Sequence, residues 1–185
     1  MSQLDRELLI GIARGRDDSA RELWARCGFP LTELARTIVG PSAAPDVVQS
    51  ALCRILECPI SRLRAVESAL PWLAQIVRNV AANHLRSERR RRSHNQRLAK
   101  TTHREPVPPE AQSLSLSERL DSLPRRLREV VVLKLVAGLT FDQLALALGI
   151  NRNTAAARYR SALDALRIGM VAQDSPSLGV LTHES

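Results

Sequence analysis

Aromatic residues are nearly missing from this chain: two tryptophans, one tyrosine and two phenylalanines among 185 residues. Without aromatic bulk the core must be filled by Leu, Val, Ile and Ala, short side chains that suit closely apposed helices. Cysteine is scarce as well. Cys27, Cys53 and Cys58 are odd in number and lie in or beside apolar helical patterns, which predicts reduced, buried thiols. Cys53 and Cys58 lack the second closely spaced pair that a structural zinc site needs, so neither a metal nor another cofactor is expected. Apolar runs of about 18 residues are absent, which argues against a membrane-spanning helix and so against membrane insertion. The start, MSQLDRELLIGIARGRDD, lacks the unbroken apolar stretch and cleavage site of a signal peptide, so a cytoplasmic protein is expected. Acids are the last shortage: 19 against 27 Lys and Arg give a net charge of +8, the balance of a protein that meets a polyanion.

What is present is unevenly spread. Residues 1–85 hold 10 basic and 9 acidic groups, whereas residues 86–110 hold 8 and 3 and residues 111–169 hold 9 and 5. The near-neutral front suits a protein partner; the middle and back carry the charge that a phosphate backbone attracts.

Periodicity reads as helix throughout. Residues 3–14 place Leu4, Leu8 and Ile12 on one face, and Asp17, Asp18 and Ser19 offer caps to a helix carrying Ala20, Leu23, Trp24 and Cys27. Pro30 and Pro41 are expected to bracket a separate short helix with Leu34, Ala35 and Ile38. Pro45 opens a helix with a wide apolar face of Val47, Val48, Ala51, Leu52, Ile55 and Leu56. Its expected partner starts near Ser68, carries Trp72, Leu73, Ile76, Val77, Val80 and Leu85, and leaves the core as a rod studded with arginines. The segment ECPISRLRAVE between them reads as a loop. Residues 93–115 have three prolines and no apolar period, the composition of a flexible linker. The expected architecture is all-α, two small helical domains (1–92 and 116–169) on either side of that linker, with a frayed tail at 170–185.

The second domain carries the sharpest local pattern. A short helix around Leu116 and Leu120 precedes SLPRRLREVVVLKLVAGL, where Ser122 is expected to cap, Pro124 to take the first turn and Gly138 to end the helix. Thr140 and Gln143 have capping-box spacing, Gly149 permits a tight turn, and Asn151 can cap a helix running to about residue 167. This is a helix-turn-helix, with Ala155, Tyr159, Ala162 and Leu166 as its inward stripe. Arg152, Asn153, Ala156, Ala157, Arg160 and Ser161 then face out, able to enter a major groove, where arginine reads guanine and alanine methyls meet thymine methyls. A solvated hairpin with no ligand would show the same arginines.

Taken in order, APDVVQSALCRIL, PWLAQIVRNVAANHLRSERRRR and LDSLPRRLREVVVLKLVAGLTFDQLALALGINRNTAAARYRSALDALR resemble the sigma factors of the extracytoplasmic-function group of the sigma-70 family. The resemblance runs from about Ser19 to Arg167. It implies a sigma region 2-like domain binding core RNA polymerase and the minus-ten element, and a region 4-like domain binding the minus-thirty-five element. Asp46, Val47, Val48, Gln49 and Arg78 would contact the polymerase clamp helices, while Asn79, Asn83, His84, Arg86, Arg89 and Arg90 would meet the minus-ten element. The loop 57–70 would capture one base; it holds no aromatic residue, so stacking there would fall to Arg62 or Arg64 or be absent. In the upstream element Thr154, Arg158 and Arg160 join the outward set. Ala155, Ala156 and Ala157 stand where family members often carry a lysine or arginine, leaving Arg158 and Arg160 to hold phosphate or base. Promoter DNA and core polymerase are the implied partners, with an anti-sigma factor as a further candidate.

Two other readings compete. A free-standing regulator would use the hairpin on an operator, but leaves the Asp46 to Gln49 helix and the basic rod without a role. An enzyme would need a nucleophile, paired carboxylates or metal ligands in one neighbourhood, and His84, His94 and His103 sit on the rod or in the linker without such company. No catalysis is therefore expected.

Overall fold

The computed structural model describes residues 3–98 and 116–171, all of whose regular elements are helices. Residues 1–2, residues 99–115 of the expected linker and the tail residues 172–185 lie outside them, while residues 93–98, expected in the linker, are helical. Helix α1 (Gln3–Ala13) buries Leu8 and Leu9 and leaves Leu4 exposed. Helix α2 is one continuous run from Asp17 to Val39. The break expected at Pro30 does not occur, because Leu23, Cys27, Leu31, Leu34, Ala35 and Ile38 are all buried along one face, and that packing outweighs the missing Pro30 N–H. Asp17 and Asp18 sit in its first turn, favourable to the helix dipole, but no side chain caps it. Trp24, expected inward, is half exposed.

Helix α3 (Ala44–Leu56) starts with Pro45 in its first turn and buries Val47, Val48, Ala51 and Ile55. The expected loop after it contains a short helix, α4 (Ile60–Arg64), seated by the fully buried Leu63. Helix α5 (Ala69–Leu98) packs Leu73, Ala74, Val77 and Ala81 against α2 and α3 and continues outward with its arginines. Of the cysteines, Cys27 is buried, Cys58 half-buried and Cys53 exposed, so the expectation of three buried thiols fails at Cys53. Burial of Cys27 pushes its thiol up to about 11, with Asp5 adding to the rise and Arg26 opposing it.

In the second half α6 (Leu116–Ser122) is tied to α7 (Arg125–Leu135) by Arg128, which bonds Asp121 Oδ1 at 3.0 Å and the Leu123 carbonyl at 3.0 Å. Ser122 does not cap α7; its hydroxyl donates back to the Arg119 carbonyl, and Pro124 stands at the N-cap position instead. Helix α8 (Phe141–Leu148) and helix α9 (Arg152–Val171) form the hairpin. The two halves do not stand apart: α7 packs on α2 and α8 on α5, so Leu133, Leu144, Ala147 and Leu148 join one apolar cluster with Leu31, Leu34, Leu73 and Val77.

Candidate nucleic-acid and partner interfaces

The hairpin is built by short-range bonds. Thr140 Oγ1 accepts from the Gln143 N–H at 3.3 Å while Gln143 Oε1 accepts from the Thr140 N–H at 2.9 Å, closing a capping box. Gly149 turns the chain at φ 64°, a left-handed conformation that disfavours any side chain, and Asn151 Oδ1 accepts from the Thr154 N–H at 2.7 Å to start α9. Ala155 and Ala162 are fully buried. Tyr159 meets Phe141 edge to face at 5.9 Å, and Lys134 lies 5.1 Å from the Phe141 ring, fixing the angle between the two helices. Arg152, Asn153, Ala157, Arg160 and Ser161 are exposed, and Thr154, Ala156 and Arg158 are half-buried beside them. Arg152 also pairs with Asp142 across the turn, at 3.4 Å, on the exposed surface.

The first domain gathers its candidates into two adjoining hollows. One, of about 470 Å³, lies between α3, α4 and α5 and is lined by Arg54, Arg62, Trp72, Gln75, Asn79 and Asn83 among others. Trp72 of α5 lines the same hollow as Arg62 of α4, and so brings the aromatic surface that the 57–70 segment lacks. Gln75, Asn79 and Asn83 follow at four-residue intervals, a ladder of amides on one helical face. That spacing was visible in sequence; its meeting with Trp72 and Arg62 was not. Arg64 is exposed on α4 and does not line the hollow. The second hollow, of about 310 Å³, brings Asp46 and Ser50 of α3 beside Asn83 and His84 of α5. Arg86 donates to Asn83 Oδ1 at 3.0 Å, and Arg89 and Arg90 continue the exposed basic face.

Three expected polymerase contacts are placed elsewhere. Val47 and Val48 are 2% and 1% exposed, so they hold α3 in the core, leaving Asp46 and Gln49 as the exposed members of that set. Arg78 is turned toward the second half, where its guanidinium bonds Glu129 and the end of α8. Sequence reasoning also missed an apolar hollow of about 520 Å³ walled by Ile12, Trp24, Pro45, Gln49, Leu52 and Leu56, because Trp24 and Leu56 were counted as core. Among the described residues no group of His, Cys, Asp or Glu could hold a metal ion, and no helix is long and apolar enough to cross a membrane.

Comparison with known proteins places this geometry. Residues 23–91 match the family described as Sigma-70 region 2, and residues 113–166 match Sigma-70, region 4. A curated relative, described as a probable RNA polymerase sigma factor RfaY of Xanthomonas campestris pv. campestris, is 32% identical over 149 residues. The match takes in 75% of this chain but 37% of that protein, so the chain spans little more than a third of its relative's length. Among solved structures, CnrH in complex with the cytosolic domain of CnrY superposes with a TM-score of 0.62 at 22% identity, over 94% of this chain and 100% of that one. The sigma factor RpoE of Bartonella quintana, in complex with the anti-sigma factor NepR, gives 0.63 at 22% identity, over 83% and 97%. At such identities the likeness speaks for the fold.

Proposed function

The chain belongs to the sigma-70 family, and from that premise we propose that it is a promoter-specificity subunit of the extracytoplasmic-function type, acting in the cytoplasm without catalysis of its own. It binds core RNA polymerase through the exposed Asp46 and Gln49 and reads promoter DNA at two places. At the upstream element α9 enters the major groove with Arg160 against a base edge, while Arg152 at the helix start holds phosphate. At the minus-ten element the hollow beside α4 takes one unstacked base, with Trp72 as the stacking surface, the amides of Gln75, Asn79 and Asn83 for its polar edge, and Arg62 on the backbone. A protein covering the polymerase-binding face, such as an anti-sigma factor, fits the same reading, in keeping with the partner proteins in the solved relatives' complexes.

The observation that carries the proposal is the pairing, in one chain, of that aromatic-and-amide hollow with an independently capped helix-turn-helix. An operator-binding regulator needs the second alone. Run-off transcription with purified core polymerase on a promoter library decides between them. We expect promoter-dependent transcripts with the wild-type chain and weakened holoenzyme assembly for Asp46→Ala with Gln49→Ala. Arg160→Ala should cost about 1–3 kcal/mol and relax preference at one base pair, whereas Arg152→Ala should weaken all sequences alike and flatten the salt slope by about one unit. A chain that binds the upstream element yet never joins polymerase would be a free-standing regulator.

A further inference from the structure

Helix α1 lies outside the residues that match Sigma-70 region 2, which begin at residue 23, yet it grips the chain beside the hollow of α3, α4 and α5 at two points. Asp5 Oδ2 accepts from the Ala69 N–H at 3.1 Å, across 64 positions of chain, and so satisfies one of the free backbone donors at the start of α5. Its neighbour Arg6 donates from Nε to the Val66 carbonyl at 3.3 Å. Asp5 is steadied from the other side by Arg26 of α2, whose Nη1 stands 3.4 Å from Oδ1. Helices α2, α3 and α4 begin without a side-chain cap, whereas α5 receives its acceptor from another helix, at the end that carries Trp72.

The two gripped residues lie between two side chains that line the hollow, Arg62 of α4 and Trp72 of α5. Trp72 is three positions beyond the N–H that Asp5 accepts from, in the first turn of α5. Helix α4 has five residues, too few to hold a helix by propensity. It is seated by the fully buried Leu63 and by its packing on α1. The side chains around the hollow thus take their places from α1, although no residue of α1 lines it. Taking a base out of its stack carries a cost of its own, and ordering the receiving hollow at the same moment would add to it. A hollow already shaped by bonds from a neighbouring helix escapes that addition.

We propose that Asp5 and Arg6 are positioning residues for promoter opening, which fix the start of α5 and the segment before it so that the hollow is formed before the base arrives. The proposal rests on reading that hollow as the site of one unstacked minus-ten base. Loss of the Asp5 acceptor loosens the first turn of α5 and lowers capture of that base. Polymerase binding through α3 and upstream-element binding through α9 are untouched.

The test uses holoenzyme assembled from the full chain and core RNA polymerase. Its probe is a pre-opened copy of a promoter recovered from the run-off library, with a single abasic site moved along the minus-ten strand. With the wild type, affinity should fall about tenfold when the abasic site reaches the captured position, the effect of losing one stacked base. Trp72→Ala should abolish that fall. Asp5→Ala should shrink it about fivefold, to roughly twofold, as loss of one helix cap implies. Asp5→Asn, whose amide oxygen still accepts, should restore the wild-type fall, and Arg26→Gln should keep it. Arg6→Ala should give a partial reduction, and it carries the test if circular dichroism shows that Asp5→Ala does not fold. Affinity for core polymerase and for the upstream element should be unchanged throughout. A full wild-type fall in both Asp5→Ala and Arg6→Ala would overturn the proposal. So would an Arg26→Gln that matches Asp5→Ala, since the ion pair rather than the cap would then matter, or variants that weaken polymerase and all DNA positions alike, the mark of a residue serving stability alone. A wild-type holoenzyme with no such position would remove the base-capture reading itself, and the positioning role with it.

Discussion

The hairpin of α8 and α9 and the bundle of α1 to α5 reach the same secondary structure by different routes. In the hairpin the start and stop of α8 and the start of α9 are made by residues within four positions: Thr140 with Gln143, Gly149 at its positive φ, Asn151 with Thr154. In the bundle no side chain caps α2, α3 or α4, and α2 passes straight through Pro30. Its helices are instead fixed by what they bury, Leu31 and Leu34 against Leu73 and Val77 in a cluster that extends into the second half. A helix whose ends are tied by local bonds keeps its start and turn without help from distant residues, whereas the bundle's surface hollows need several helices at once.

The largest expected effect would break the bundle. Leu73 is fully buried where α5 meets its neighbours, and Leu73→Ala should cost about 2–5 kcal/mol through lost transfer energy and the cavity left behind. Urea unfolding followed by circular dichroism measures it, and a loss under 1 kcal/mol would mean that local propensity, not the shared core, holds α5. A smaller effect is expected from the hairpin's cap. Thr140→Ala removes one acceptor of the capping box and should cost about 1 kcal/mol, within a usual range of 0.5–2. Amide exchange should quicken in the first turn of α8 and leave the bundle unchanged; equal loosening of both would show that the hairpin leans on the interface more than on its caps. An effect of similar size should have the opposite sign. Pro30→Ala restores a helical N–H, worth ~3 kcal/mol of propensity, against about 2 kcal/mol of buried ring surface, a net gain near 1 kcal/mol. Thermal melting would reveal a loss instead if the proline ring's packing were what α2 depends on.

The same contrast decided what could be read in advance. Every expected feature of the hairpin rests on residues neighbouring in the chain, and its capping box, left-handed glycine and Asn151 cap all appear as bonds or torsions. The bundle's expectations failed where a distant contact outweighed a local signal. Pro30 should end a helix, yet the buried stripe on both sides of it carries α2 onward. Pro59 and Ser61 suggested a loop, yet Leu63 finds a sealed position and α4 forms around it. Trp24 and Leu56, apolar and on helical period, stay exposed and wall the apolar hollow at α1, α2 and α3, while in the second half Ser122 turned back to Arg119. For the site, the amide ladder of Gln75, Asn79 and Asn83 could have been found from its spacing, but its alliance with Trp72 and Arg62 needed α4.

By itself, the sequence determined the helical class, the positions of the helix-turn-helix and its outward arginines, the charge asymmetry between the halves, and the resemblance that led to a sigma factor. These are properties of neighbours, since caps, turns and periods act over a few residues and charge adds along the chain. Only the tertiary structure decided that Val47 and Val48 are core, that Trp72 and the amide ladder share one hollow, and that Arg78 reaches Glu129 and the end of α8 across the molecule. Each depends on contacts between helices, the last of them between residues 51 and more positions apart in the chain, and such contacts arise from a common apolar core that no local pattern encodes.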